Sequence, residues 1–303
     1  MNSSGTQEFV QTYMDTPRQP SLQLPELACD SHVHVFGPVN RFPYSPHSGA
    51  APAPAPAPKE KLFALHRHLG IQRCVIVQSV THGYDNRVVE DAIQAGGGNY
   101  LGVARVPLDV ADAELERLAQ SGFRGVRFNF MRHLSGGVDV QDVLAMTPRL
   151  AMVGMHLQVH FESVLVHTVG QALKSSQVPV VIDHMGRVDA PLGAEHPDFQ
   201  GLVQLLEDPN FHVKVSGIDR IDSGCRAGDG YPCGVALARL LVERFPERCL
   251  WGSDWPHPNH THIPDDGELV NALALIAPSS QAREQLLVRN PQALYRFQVN
   301  ASA

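Results

Sequence analysis

The chain has 303 residues, 43% hydrophobic and 18% charged, which is enough for one large α/β domain or two of ordinary size. A formal charge of −7 with no Lys/Arg run argues against nucleic acid and acidic membranes as partners. No uncharged apolar stretch approaches the roughly 18 residues of a membrane span, and the five scattered cysteines form no CxxC pair, so a reducing cytoplasm is the expected compartment.

Residues 1–26 are polar and interrupted by Pro17, Pro20 and Pro25, without the basic-then-apolar pattern of a signal peptide. A flexible N-terminal arm is expected there. The next stretch, "ACDSHVHVFGP" (Ala28 to Pro38), has the composition of a strand. At a side-chain period of two, Asp30, His32 and His34 would share one face. Two imidazoles about 6–7 Å apart on that face can close on a metal ion or on one polar atom of a substrate. The low-complexity run "AAPAPAPAP" (Ala50 to Pro58) favours extended polyproline II and is expected as a loop over the mouth of the first strand.

From there a pattern repeats. Strand-like apolar runs at Ala28–His34, Cys74–Gln78, Leu101–Val106, Gly125–Asn129, His156–His160, Val178–Asp183, His212–Ser216 and Cys249–Ser253 are separated by longer amphipathic stretches. The helix-like stretches include Lys59–Leu69, Asp85–Ala95, Asp112–Ser121, Val140–Val153, Val164–Ser175, Phe199–Glu207, Gly234–Phe245 and Gly267–Ile276. Near-continuous apolar strands alternating with helices indicate a parallel sheet covered on both faces. Eight such units in one domain, 27–297, predict a (β/α)8 TIM barrel followed by a short tail, 298–303. The rival, a doubly wound open sheet, lacks the glycine-rich turn it would carry after its first strand.

In a barrel the strands' C-terminal ends carry the chemistry. Here they read His32 and His34 after strand one, and Gln78, Ser79 and His82 after strand two. Strand four brings Arg127, Asn129, Arg132 and His133, and strand five Gln158, His160 and Glu162. Strand six brings His184, strand seven Lys214, Ser216 and Arg220, and strand eight Asp254. Bland roles suit several of these. Asp30 reads as a structural acceptor and Glu162 as a helix cap. His156, His167 and His212 read as packing or surface residues. Lys214 fits either a polar layer inside the barrel or its outside, and His257 and His262 fit either kind of role. His32, His34, His184 and Asp254 stand apart because all four converge on one predicted mouth.

The motifs "DSHVHVFGP", "VIDHMGR", "WGSDWPHPN" and "NPQALYRF", with "FPYSP", "KLFALHRHLG", "VTHGYDN", "GVRFNFMR" and "PDDGELV", resemble the amidohydrolase superfamily. The likeness spans nearly all of 27–297 and is closest to the metal-sparing lactonase branch that acts on 2-pyrone-4,6-dicarboxylate. The resemblance implies a hydrolase of aromatic-compound catabolism that opens a lactone bearing acidic groups, such as that pyrone or a muconolactone. It makes Asp254 the proton acceptor and His32, His34 and His184 the groups that polarise the carbonyl. Arg127, Arg220, Ser79, His82, Arg132, His133 and His160 are the implied substrate-binding residues. No cofactor is expected. The alternatives are a metal-dependent decarboxylase of the superfamily, with one divalent ion such as zinc on His32, His34, His160, His184 and Asp254, or a sugar lactonase. Three departures suggest an altered carboxylate pocket: His133 stands where an arginine is expected, and Ala50 and His160 stand where tyrosines are expected.

Overall fold

A computed structural model of the chain describes residues 9–46, 53–131 and 138–298. Eight parallel strands form one sheet: β1 (Cys29–Val33), β2 (Arg73–Val77), β3 (Tyr100–Ala104), β4 (Phe123–Asn129), β5 (His156–His160), β6 (Val180–Ile182), β7 (Phe211–Lys214) and β8 (Cys249–Leu250). Each strand pairs with the next in chain order, from β1 through to β8. The ring closes through single backbone bonds rather than a regular ladder. Ser31 N donates to Trp251 O at 2.8 Å, Asp254 N to His32 O at 2.8 Å, and His34 N to Trp255 O at 2.7 Å. The sequence-predicted eighth strand therefore stops at Leu250, three residues early, because the chain beyond it bends to meet β1. The result is the expected (β/α)8 barrel.

Seven predicted helices form within a few residues of their expected bounds: α1 (Lys59–Leu69), α2 (Arg87–Ala95), α3 (Asp112–Gln120), α4 (Val140–Met152), α5 (Pro197–Leu206), α6 (Pro232–Arg244) and α7 (Asp266–Ile276). The eighth does not. The stretch expected to be one helix over Val164–Ser175 is instead a 3-10 turn at Ser163–His167, a single α-turn at Val169–Ala172 and a second 3-10 turn at Leu173–Ser175. Gly170 and the β-branched Val164, Val166, Thr168 and Val169 weaken helix propensity there.

Two apolar layers follow from strand alternation. Val75, Val77, Leu101, Val103, Val181 and Leu250 point into the barrel, where Tyr295 and Phe297 plug its lower end. The alternate residues, such as Cys74, Ile76, Val180 and Val213, pack outward against the helices. Residues 9–26 are tied to the barrel at several points. Tyr13 lies 5.2 Å from Trp255, ring to ring, Arg18 Nε donates to Asp265 at 3.0 Å, and Ser21 N donates to Asn271 Oδ1 at 2.8 Å. The described part of the Ala-Pro run is held over the first strand's mouth by paired bonds between Phe36 and Ala57 of 2.9 and 2.8 Å.

Candidate active site

The two opening histidines owe their direction to a bulge. Between Asp30 and Val33 the register of β1 against β2 slips by one residue, since Asp30 faces Cys74 and Val33 faces Ile76. Cys74 and Ile76 belong to the helix-facing core, so Asp30 is turned away from the barrel lumen while His32 and His34 point into it. The expectation that Asp30 shares their face is thus corrected. Asp30 is a clamp on the closure: it accepts from Ser253 N at 3.0 Å and from Ser253 Oγ, and lies 3.7 Å from His66 Nε2 on α1.

Four predicted residues meet at one point. The Nε2 atoms of His34, His32 and His184 lie 3.5, 3.6 and 3.8 Å from the same oxygen, Asp254 Oδ1. The other oxygen, Oδ2, accepts from Arg220 Nε, and Arg220 Nη2 also donates to Pro258 O at 3.0 Å. Burial pushes the Asp254 carboxyl up, but Arg220 and the surrounding imidazoles outweigh it and hold the group well below the usual carboxylate range. Asp254 and His184 have φ of 66° and 49°, in the left-handed region, and such strain costs on the order of 1–3 kcal/mol per residue. Backbone bonds to His32 O and from His257 N keep Asp254 there.

Beneath this point lies a charged layer. Lys214 is fully buried, so the polar-layer alternative for it is the one realised. Its Nζ donates to Gln158 Oε1 at 2.8 Å and approaches His32 Nδ1 at 3.3 Å and Asp183 Oδ1 at 3.7 Å. Asp183 receives Arg127 Nε at 2.8 Å on one oxygen and faces His32 Nδ1 at 3.2 Å with the other. Burial brings Lys214 down to about 8 even with Asp183 opposing the shift. Burial, then Lys214, brings His32 down to about 4, so that imidazole is neutral at pH 7. Two glycines make room. A Cβ on Gly252 would sit 2.6 Å from His32 N, and one on Gly125 would sit 2.4 Å from the His156 ring.

Tautomers decide what the imidazoles can do. His34 Nδ1 lies 2.7 Å from Val77 O and must donate to it, which leaves the Nε2 lone pair aimed at the site. For His32 the partner at Nδ1 sets the outcome. Donation to Asp183 bares Nε2, whereas acceptance from Lys214 puts the proton on Nε2. His32 Nε2 itself is buried and has no hydrogen-bond partner among the described residues. The bare His34 nitrogen, the orphaned His32 nitrogen and the Asp254 carboxylate converge closely enough to fit a divalent ion, and His32, Asp183 and His184 form a second such group.

Above the carboxylate a cavity opens, lined by Ser79, Arg127, His160, Arg187, Arg220 and Asn259 among others. His160 Nδ1 lies 3.3 Å from Asn129 Oδ1, while its Nε2 has no partner among the described residues. Its ring faces His184, centroids 5.4 Å apart. His82 is not part of the lining. Its Nδ1 donates to Pro43 O at 3.1 Å and its Nε2 accepts from Gly37 N at 3.3 Å, so both nitrogens brace the loop after β1. Arg132, His133 and Ala50 lie outside the described residues. Sequence reasoning did not single out Asp183 or Arg187, and it gave Gln158 no role. The available signal was an acid and a lysine at the ends of neighbouring apolar strands, "VVID" and "FHVK".

An amidohydrolase family model matches residues 29–297. The chain belongs to the amidohydrolase family. This amidohydrolase is 41% identical over 286 residues to the 2-pyrone-4,6-dicarboxylate hydrolase of Comamonas testosteroni, covering 92% of the chain and 93% of the relative. It is 36% identical over 276 residues to the 4-sulfomuconolactone hydrolase of Hydrogenophaga intermedia, covering 90% of the chain and 89% of the relative. A solved structure from Pseudomonas putida superposes on the amidohydrolase with a TM-score of 0.77 at 31% identity, covering 91% of this chain and all of that one.

Proposed function

We propose that this amidohydrolase opens a lactone bearing acidic groups, with 2-pyrone-4,6-dicarboxylate and sulfonated or carboxylated muconolactones as the substrate class. The observation that carries the reading is the ionised Asp254 under three converging imidazoles, at the floor of a cavity rimmed by arginines. The relatives' lactones support the same class. Asp254 Oδ1 takes a proton from water as the water oxygen attacks the lactone carbonyl carbon. An imidazole with its proton on Nε2 stabilises the oxyanion, at a few kcal/mol per donor. Collapse then breaks the ring C–O bond, and the departing oxygen receives the proton from Asp254. One hydroxyl or enol and one carboxylic acid result, and the acid releases its proton to solvent to become the carboxylate. Arg127 and Arg220 guide the acid groups.

His32, His34, His184 and Asp254 are the side chains that would hold a divalent ion. Such an ion, when bound, would lower the pKa of water and polarise the carbonyl. The steps above ask for the Asp254 carboxylate and one imidazole protonated on Nε2, a role open to His32 or His184, and we read the ion as dispensable. All five cysteines are free thiols and no described helix is long and apolar enough to cross a membrane, in keeping with a cytoplasmic enzyme acting on a small anion.

The test is ultraviolet-monitored ring opening of 2-pyrone-4,6-dicarboxylate and 4-sulfomuconolactone, before and after chelator treatment. Turnover of either substrate that survives chelation is expected. Activity lost to chelation and restored by zinc would overturn the metal-free step, and no ring opening of either would overturn the lactone reading.

A further inference from the structure

Three arginines reach the cavity, and two of them are already engaged. Arg127 holds Asp183 at 2.8 Å, and Arg220 holds Asp254. Arg187 lines the same cavity and makes no ion pair with a carboxylate among the described residues. Burial, and then the charge of Arg220, bring Arg187 down to about 10, so it remains a cation at neutral pH but an electrostatically unfavourable one. An unpaired guanidinium beside a second arginine gains most from an anion that neither arginine's own chain partner provides.

The backbone makes this placement deliberate. His184, Met185, Gly186 and Arg187 have φ of 49°, 51°, 63° and 57°, four consecutive residues in the left-handed region. Such a run persists only where the surroundings over-determine it. Met185 is fully buried, and Gly186 faces Phe161 closely enough that an added Cβ would lie 3.3 Å from the ring. One short segment thus carries both His184, at the reacting carbonyl, and Arg187, at the cavity wall.

We propose that Arg187 receives an acidic substituent of the lactone, a carboxylate or sulfonate, and that its fixed spacing from His184 selects where on the ring that acid must lie. This rests on the lactone reading above and deepens it. Arg187 is the cation whose fork is available for a bidentate contact, while Arg127 and Arg220 must share theirs with Asp183 and Asp254.

The test separates binding from turnover by using isophthalate, a planar dicarboxylate with the meta spacing of the pyrone diacid and no ester to open. Calorimetric titration of the full chain is expected to show binding to wild type, about 100-fold weaker binding to Arg187→Met, and partial recovery in Arg187→Lys, which restores the cation without the fork. Arg187→Met binding within about twofold of wild type would overturn the assignment of Arg187 alone. So would a loss that Arg187→Lys does not partly restore, because that marks a packing role. If wild type binds no isophthalate yet opens neutral lactones, the acidic-substrate reading fails together with Arg187.

Discussion

Replacing Asp183 with Asn asks whether one buried carboxylate holds the charged layer in place. The amide keeps the size and one acceptor oxygen. It removes the charge that faces Arg127 Nε at 2.8 Å, His32 Nδ1 at 3.2 Å and Lys214 Nζ at 3.7 Å. Removing one partner of a buried ion pair costs about 3–5 kcal/mol, because the other charge is left behind. The two stranded cations respond differently. Lys214, already down to about 8 through burial, releases its proton and sheds part of the cost. Arg127 cannot be deprotonated, so its guanidinium keeps the penalty or turns into the cavity. A net loss of about 3 kcal/mol is expected, or about 6 °C in Tm at this chain length. Turnover should fall as well. Without the carboxylate, His32 loses the anion that orients its ring at Nδ1, and losing such a partner behind an active-site histidine costs on the order of 10–100-fold in activity. Differential scanning fluorimetry and initial rates of ring opening measure both. A Tm within about 2 °C of wild type together with kcat within about threefold would refute the reasoning, since the layer would then hold without its anion.

Gly252→Ala would place a Cβ 2.6 Å from His32 N, a backbone atom that cannot move aside, so a loss of about 1–3 kcal/mol and a fall in kcat are expected. An unchanged melting temperature would show that the β8–β1 seam has slack. Arg220→Gln removes a cation that holds the Asp254 carboxyl well below its ordinary range, so the acid limb of the kcat/KM profile should move to higher pH. An unmoved limb would count against Asp254 as the titrating base. Burial brings His156 to about 3 and His32 to about 4, below the unfolded value near 6.5. The unfolded chain therefore binds more protons between those values. Their stabilising effect is complete above about pH 6.5 and is lost as pH falls toward 3–4, by up to about 1.4 kcal/mol per unit for each histidine. Asp183 and Asp254, shifted down, add their losses only below about pH 4. Neither nitrogen of His156 has a hydrogen-bond partner among the described residues, so His156→Leu should flatten melting temperature against pH between 6.5 and 4. An identical slope in variant and wild type would refute that.

The barrel was legible because its strands are apolar on both faces and its helices keep one polar side, a contrast that survives without coordinates. Composition could not reveal where that contrast fails. Val164–Ser175 has an amphipathic spacing, yet its β-branched residues and Gly170 break it into turns. Period-two counting also fails at β1, where the bulge after Asp30 leaves one residue out of phase. That misphasing is functional in effect: it sends Asp30 to lock Ser253 outside while His32 and His34 both remain inside.

The site was legible to the extent that its groups sit at strand ends. His32, His34, His184 and Asp254 could be gathered by topology alone, because a closed barrel brings all strand ends to one mouth. Partnership could not be read the same way. Arg127 and Arg220 register in the sequence simply as mouth cations, and only the folded chain shows each facing an aspartate. Counting mouth arginines therefore overstates the charge free to meet a substrate. His82 misleads in the opposite sense: it looks like a binding residue after strand two, yet both ring nitrogens hold the loop at Gly37 and Pro43. Polar residues at a barrel mouth divide into those that face the ligand and those that hold the first group still, and hydrogen-bond saturation separates them. By that measure His160 and Arg187, each with polar atoms unclaimed by the described chain, are where substrate chemistry should register most directly.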